Sequence, residues 1–203
     1  MITIVDYGLG NIQAIANIYK RLHIPVTIAQ SAEQLGNATK IILPGVGAFD
    51  WAMTCLNQSG MRSRLDQLIG VGTGVLGICV GMQIMAKRSD EGSLEGLGWI
   101  DADVKIFDQA NFPEKTPLPH MGWNDVSPSR ADSLFRGMES GARFYFLHSY
   151  YFAPHRDRDV LAVTEYNGHF ACSVRVDNVY GVQFHPEKSH QWGIRLLKNF
   201  AEI

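Results

Sequence analysis

Val75-Leu76-Gly77-Ile78-Cys79, continuing into Val80-Gly81-Met82-Gln83, is the stretch on which the fold turns. The apolar run 75–79 shows no alternation, so it reads as a strand buried on both faces, as in parallel sheets covered by helices. A helical pattern over residues 82–87 stands directly behind it. Working back towards the N-terminus, Ile2–Val5, Val26–Ala29 and residues 40–43 are three more short apolar strands. Pro44-Gly45-Val46-Gly47 is expected to stop the third. Ile12, Ile15, Ala16, Tyr19 and Leu22 recur at helical spacing and predict an amphipathic helix over 11–22, closed by Pro25. Ala48, Ala52, Cys55 and Leu56, then Leu65, Leu68 and Ile69, mark further helical segments. Strands alternating with helices imply right-handed crossovers and a mainly parallel sheet.

Downstream the pattern changes. Residues 104–107, 144–147, Val160–Glu165, 171–176 and 179–184 read as strands, with Asp177-Asn178 suited to a two-residue type I′ turn. Residues 109–119 carry three prolines and are the most loop-like stretch. A final helix places Trp192, Leu196, Leu197 and Phe200 on one face, with Arg195, Lys198 and Glu202 elsewhere. Repeats and linkers are absent. The fold expected is one three-layer α/β domain over residues 1–203, a mainly parallel central sheet with an antiparallel annex.

Composition narrows the function. Across 203 residues, 46% hydrophobic and 19% charged side chains describe a compact soluble chain, not a disordered one. Eighteen basic against twenty acidic residues, without long runs of either sign, argue against nucleic acid as a partner. No apolar run approaches the roughly 18 residues of a membrane span, and no basic segment of a secretory signal follows Met1. The three cysteines, Cys55, Cys79 and Cys172, lie far apart, which favours a reducing cytoplasm. Gly8-Leu9-Gly10 opens like a dinucleotide fingerprint, but Gln13 stands where its third glycine belongs. Cys and His residues show no close metal-ligand spacing. Chemistry without cofactor or metal is expected.

Gly77-Ile78-Cys79-Val80-Gly81 has the form of a nucleophile elbow. Small flanking residues permit a sharp turn that lifts the central side chain above the sheet. A cysteine there meets a helix N-terminus, and the Val80 N–H faces the same space. The pentapeptide alone is equally compatible with a buried structural cysteine. A thiol nucleophile needs a base, and the base needs an orienting group. His185-Pro186-Glu187 offers both at a strand's C-terminal end: in extended chain Glu187 points the same way as His185. His23, His120, His148, His155, His169 and His190 are read as structural or merely exposed.

Gly77-Ile78-Cys79-Val80-Gly81-Met82-Gln83 and Phe184-His185-Pro186-Glu187-Lys188-Ser189 resemble the class I (triad) glutamine amidotransferases. Asp6-Tyr7-Gly8-Leu9-Gly10-Asn11, Pro44-Gly45-Val46-Gly47, Pro119-His120-Met121-Gly122-Trp123-Asn124 and Phe144-Tyr145-Phe146-Leu147-His148-Ser149-Tyr150 narrow the likeness. Together these motifs are similar to the glutaminase subunits of imidazole glycerol phosphate synthases, in order and along the whole chain. The resemblance implies that Cys79 attacks the side-chain amide of L-glutamine, with His185 as acid and base and Glu187 orienting it. It implies that Gln83 and the backbone around His148, Ser149 and Tyr150 hold the substrate. Val80 N–H and an N–H from the Gly45-Val46 turn would form the oxyanion hole.

In that family the turn flips into place when the partner is loaded, and Gly45 and Gly47 would supply the φ freedom; an ordinary strand-ending turn explains the glycines equally well. The partner implied is a (β/α)8-barrel synthase that receives the ammonia within a heterodimer. Asn11, Trp123 and Asn124 match interface positions. Gly98-Trp99-Ile100-Asp101, Asp125 and Ser189-His190-Gln191-Trp192-Gly193 resemble instead a paralogous branch that supplies ammonia to a surface-polysaccharide sugar amidotransferase. Glutamine hydrolysis is common to both branches.

Overall fold

The structure, a computed structural model, describes residues 1–108 and 117–203. Most of the loop expected over 109–119 therefore lies outside the described residues. The chain runs β1 (Ile2–Val5), α1 (Ile12–Arg21), β2 (Val26–Ala29), α2 (Ala32–Leu35), β3 (Lys40–Gly45), α3 (Phe49–Gln58), α4 (Arg62–Gly70), β4 (Gly74–Cys79) and α5 (Val80–Gln83). It continues through β5 (Arg88–Ser89), β6 (Ala102–Ile106), β7 (His120–Pro128), β8 (Ala142–His148), β9 (Tyr150–Pro154), β10 (Val160–Glu165), β11 (His169–Val176), β12 (Val179–Val182) and α6 (His190–Glu202).

The strands lie in the order β2-β1-β3-β4-β12-β11-β10-β7-β8, with β9, β6 and β5 branching from β11. From β2 to β12 every neighbour is parallel; from β12 onwards the path is antiparallel. Val75, Leu76 and Ile78 are buried because β4 has a parallel strand on each side and helices above and below. The chain steps from β1 to β2 in one direction and from β3 to β4 in the other. Right-handed crossovers then put α1 on the face opposite α3 and α4. Helix α6 joins α1, and the Tyr19 hydroxyl donates to Leu197 O at 3.1 Å.

Three sequence expectations need correction here. Pro44 does not end its strand: β3 continues until Gly45 pairs with Cys79. Pairing with β1 has ended by Ile42, so no ladder requires the N–H that proline lacks. The Pro44 carbonyl on that side accepts from the Tyr7 hydroxyl at 2.8 Å instead. The helix expected over 82–87 is a single turn, α5. Leu97, Gly98 and Ile100 donate to the carbonyls of Ile84, Ala86 and Met85, the acceptors that a longer helix would have used. Asp177 alone is left-handed in the β11–β12 loop (φ 50°), so the turn is not type I′. The Asn178 amide is engaged elsewhere, donating to Ile69 O and Thr73 O. Strands β7 and β9 were not expected at all.

Candidate active site

Cys79 closes β4 at φ 55°, ψ −115°, a conformation that costs an L-residue about 1–3 kcal/mol. The surroundings leave no alternative path. A Cβ on Gly81 would stand 1.9 Å from Leu43 O, and one on Gly77 would stand 2.7 Å from Gly81 O. Both glycines are there for close approach, while the strained φ falls on the cysteine itself. Gly81→Ala is accordingly expected to destabilise the protein by about 3 kcal/mol, read as a lower urea midpoint at unchanged slope. The helix behind Cys79 is only one turn, so its dipole is smaller than the sequence suggested; local N–H groups remain.

His185 lies three residues past the end of β12 and is 3% exposed. Its backbone is tied down: His185 N–H donates to Tyr145 O at 2.9 Å, and the Ser189 hydroxyl donates to His185 O at 2.6 Å. Residues Pro186–Lys188 form a 3-10 turn rather than extended chain, and through this turn Glu187 reaches back to the ring. His185 Nδ1 and Glu187 Oε1 are 2.8 Å apart. Asn11 Nδ2 donates to the same oxygen at 2.6 Å, while Oε2 is buried without a partner. Burial opposes charge on His185, but hydrogen bonds from the ring to Cys79 and Glu187 outweigh it and push its pKa up to about 10. Burial likewise opposes charge on Glu187, yet His185 and Asn11 hold its carboxyl below the usual range.

A cavity of about 280 Å³ opens over these groups, lined by Val46, Gly47, Cys79, Val80, Gln83, His148, Ser149, Tyr150 and His185, among others. The catalytic and substrate-holding candidates thus meet in one place. A wider depression of about 680 Å³ over Asp6, Asn11, Gln13 and Gln30 gathers no comparable set of reactive side chains. Gly45 sits beside Cys79 in register, and a Cβ there would be 2.4 Å from Gly81 N. Its role is spatial; of the pair, Gly47 is the one at positive φ (91°).

The expected interface residues separate. Trp123 is 40% exposed, its ring stacked at 5.2 Å on His190. Asn11 spends its amide on Glu187, and Asn124 donates to Glu165 O at 2.7 Å. Gln183 escaped the sequence reading. It is fully buried, accepts from Gln83 Nε2 at 3.0 Å and directs its own Nε2 towards Cys79 Sγ at 3.9 Å. A glutamine inside the apolar run Val182-Gln183-Phe184 was the available signal. Cys172 is buried and its thiol is pushed up by desolvation, which suits an inert core residue. Among the described residues no grouping of three or more His, Cys, Asp or Glu could hold a metal ion, and no helix is long and apolar enough to cross a membrane.

A parallel strand thus ends in a strained cysteine elbow, with a His–Glu pair beyond the adjacent strand, an arrangement suited to acyl transfer through a thiol. Residues 3–203 match the family profile "Glutamine amidotransferase class-I", and the chain belongs to that family. Over 204 residues, all of both chains, it is 59% identical to the imidazole glycerol phosphate synthase subunit HisH of Bdellovibrio bacteriovorus. The subunit of the same name from Leptospira interrogans is 48% identical, again over both full lengths. A solved structure described as "Crystal structure of glutamine amidotransferase" superposes with a TM-score of 0.76 over all of this chain and 99% of that one; at 18% identity it speaks for the fold alone.

Proposed function

We propose that residues 1–203 act as one amidotransferase domain, the glutaminase subunit of an imidazole glycerol phosphate synthase serving histidine biosynthesis in the cytoplasm. The observation that carries this reading is the meeting of Cys79 and His185 at one cavity, with Glu187 on the far nitrogen of the His185 ring and Cys79 held in a strained turn. The Cys79 thiolate attacks the side-chain carbonyl carbon of glutamine. Charge on the oxygen is taken up by Val80 N–H and an N–H of the Gly45-Val46 turn. The His185 imidazolium gives its proton to the departing nitrogen, releasing ammonia and leaving a glutamyl thioester. Neutral His185 then takes a proton from water, whose oxygen displaces the thiolate as glutamate forms. Gln83 uses its N–H groups on Tyr150 O and Gln183, which leaves its carbonyl oxygen for the substrate.

Ammonia released into neutral water would be protonated and lost as a nucleophile, so a docked acceptor is part of the proposal. Met121, Trp123 and Leu147 are exposed on the outward side of the β7–β8 pair, where Met121 lies across from Leu147. That apolar stripe suits a tightly bound partner, here a (β/α)8-barrel synthase subunit. Glutaminase turnover is expected to rise about 10²–10³-fold when the barrel subunit and its substrate are added, the effect of completing a two-donor oxyanion hole. Steady-state assays with and without the partner test this. Full activity in the isolated chain would refute the gating and leave the triad chemistry intact.

A further inference from the structure

A line of hydrogen bonds runs from the exposed side of β7 inward to the nucleophile, and its anchors fix the direction of the ring donors. Asn124 Nδ2 donates to Glu165 O at 2.7 Å while its Oδ1 accepts from Asp125 N–H at 2.8 Å, so the amide cannot turn over. The same Nδ2 is 3.2 Å from His120 Nε2, which must be the bare, accepting nitrogen. His120 therefore carries its proton on Nδ1, 2.9 Å from His148 Nε2. Read from the other end, His148 Nδ1 is 2.8 Å from Tyr150 O, which can only accept. His148 is thus also the Nδ1–H tautomer, with Nε2 free to accept from His120. Both anchors set the same direction between the rings, His120 Nδ1–H to His148 Nε2.

A second proton on either ring would set donor against donor. Burial pushes His120 down to about 4 and His148 to about 3, so both stay neutral. The His120 ring is stacked against Phe146 at 4.7 Å and Tyr166 at 3.9 Å. Beyond Tyr150 O the line continues through Gln83 and Gln183 to Cys79.

We propose that His120 is a positioning residue for the glutamine pocket, holding the 148–150 backbone through His148 in its Nδ1–H form. It touches neither substrate nor reacting atoms, and its effect on turnover rests on the glutaminase reading above. Its tautomer does not rest on that reading.

The test uses the full chain with two readouts. Side-chain ¹⁵N–¹H spectra are expected to show both His120 and His148 as neutral Nδ1–H rings; an Nε2–H form at either overturns the proposal. Kinetics in complex with the barrel subunit compare His120→Phe, which keeps the stacked ring but loses the donor, with His120→Asn, which restores an N–H near the Nδ1 position. His120→Phe is expected to raise KM for glutamine about tenfold, the value of one lost buried hydrogen bond, with kcat changed less than about threefold. His120→Asn should recover most of that loss. Wild-type KM in His120→Phe, or equal loss in both variants, overturns the proposal. If His120→Phe fails to fold, the spectra and the His120→Asn KM still decide. A wild-type complex without glutaminase activity would sink the proposed function, while the spectra would continue to judge the hydrogen-bond line.

Discussion

Replacing Cys79 by alanine is expected to slow glutamine hydrolysis by about 10⁶-fold, the scale of removing a nucleophile from a triad enzyme. The loss is this large because the thiolate is the acyl acceptor of the proposed mechanism, and Cys79 brings the thiol that lines the cavity with His185. The complex should still form its product from ammonium salts at high pH, where unprotonated ammonia reaches the synthase directly. Single-turnover assays with labelled glutamine measure the first effect and partner-dependent product formation the second. Glycine at the same position separates chemistry from conformation. At φ 55°, ψ −115° a glycine is unstrained, so Cys79→Gly should be as inactive as Cys79→Ala yet more stable than it by about 1 kcal/mol or more. Equal unfolding midpoints for the two variants would contradict the strain assigned to the elbow.

The second large effect belongs to Glu187→Gln. Both donors, His185 Nδ1–H and Asn11 Nδ2–H, converge on Glu187 Oε1, and Oε2 has no donor to lose. A glutamine can keep its carbonyl oxygen in that place and retain the shape of the site while deleting the charge. Turnover is expected to fall by about 10²–10⁴-fold, the upper figure being that of a charge-neutralised triad acid in a serine protease. The pH dependence carries a sign. His185 is raised from 6.5 to about 10 in the folded protein, so its contribution to stability is complete below 6.5 and disappears as pH rises through about 10. Removing the carboxylate brings that value down. Glu187→Gln should therefore be less stable than wild type near pH 6, with the gap closing towards pH 10, and its alkaline loss of activity should begin at lower pH. Thermal unfolding and kcat/KM across that range check both statements.

Much of this could be read from the chain alone, and the failures share a cause. Ile2–Val5 and the run 75–79 were legible because each buries apolar residues in a strand whose flanks are marked by turns, and Val26–Ala29, an edge strand that buries only Ala29, because Pro25 marks its start. Strand β7 was hidden because His120 and Asn124 occupy its inward face, where hydrogen bonds to residues far along the chain satisfy them. The short helix α5 was overestimated because residues 97–100 capture its would-be acceptors, which local periodicity does not report. In the site, Cys79 and the His185–Glu187 pair were legible since each motif is local. Asn11, 176 positions from Glu187, and Gln183, 104 from Cys79, act through contacts that only the fold creates.

The pairing of β4 with β12 joins Val75 to Val179, so the centre of the sheet is completed by one of the last strands to be synthesised. Until then β4 presents an open apolar edge of the kind that invites mispairing in a nascent chain, and long-range closure of this sort is slow. The same topology has a protective side. His185 and Glu187 travel with β12, so the Cys79 thiol has no base beside it while the chain is still leaving the ribosome. Reactivity waits for β12 to pair with β4, and a chain truncated before Val179 carries the nucleophile strand without the means to use it.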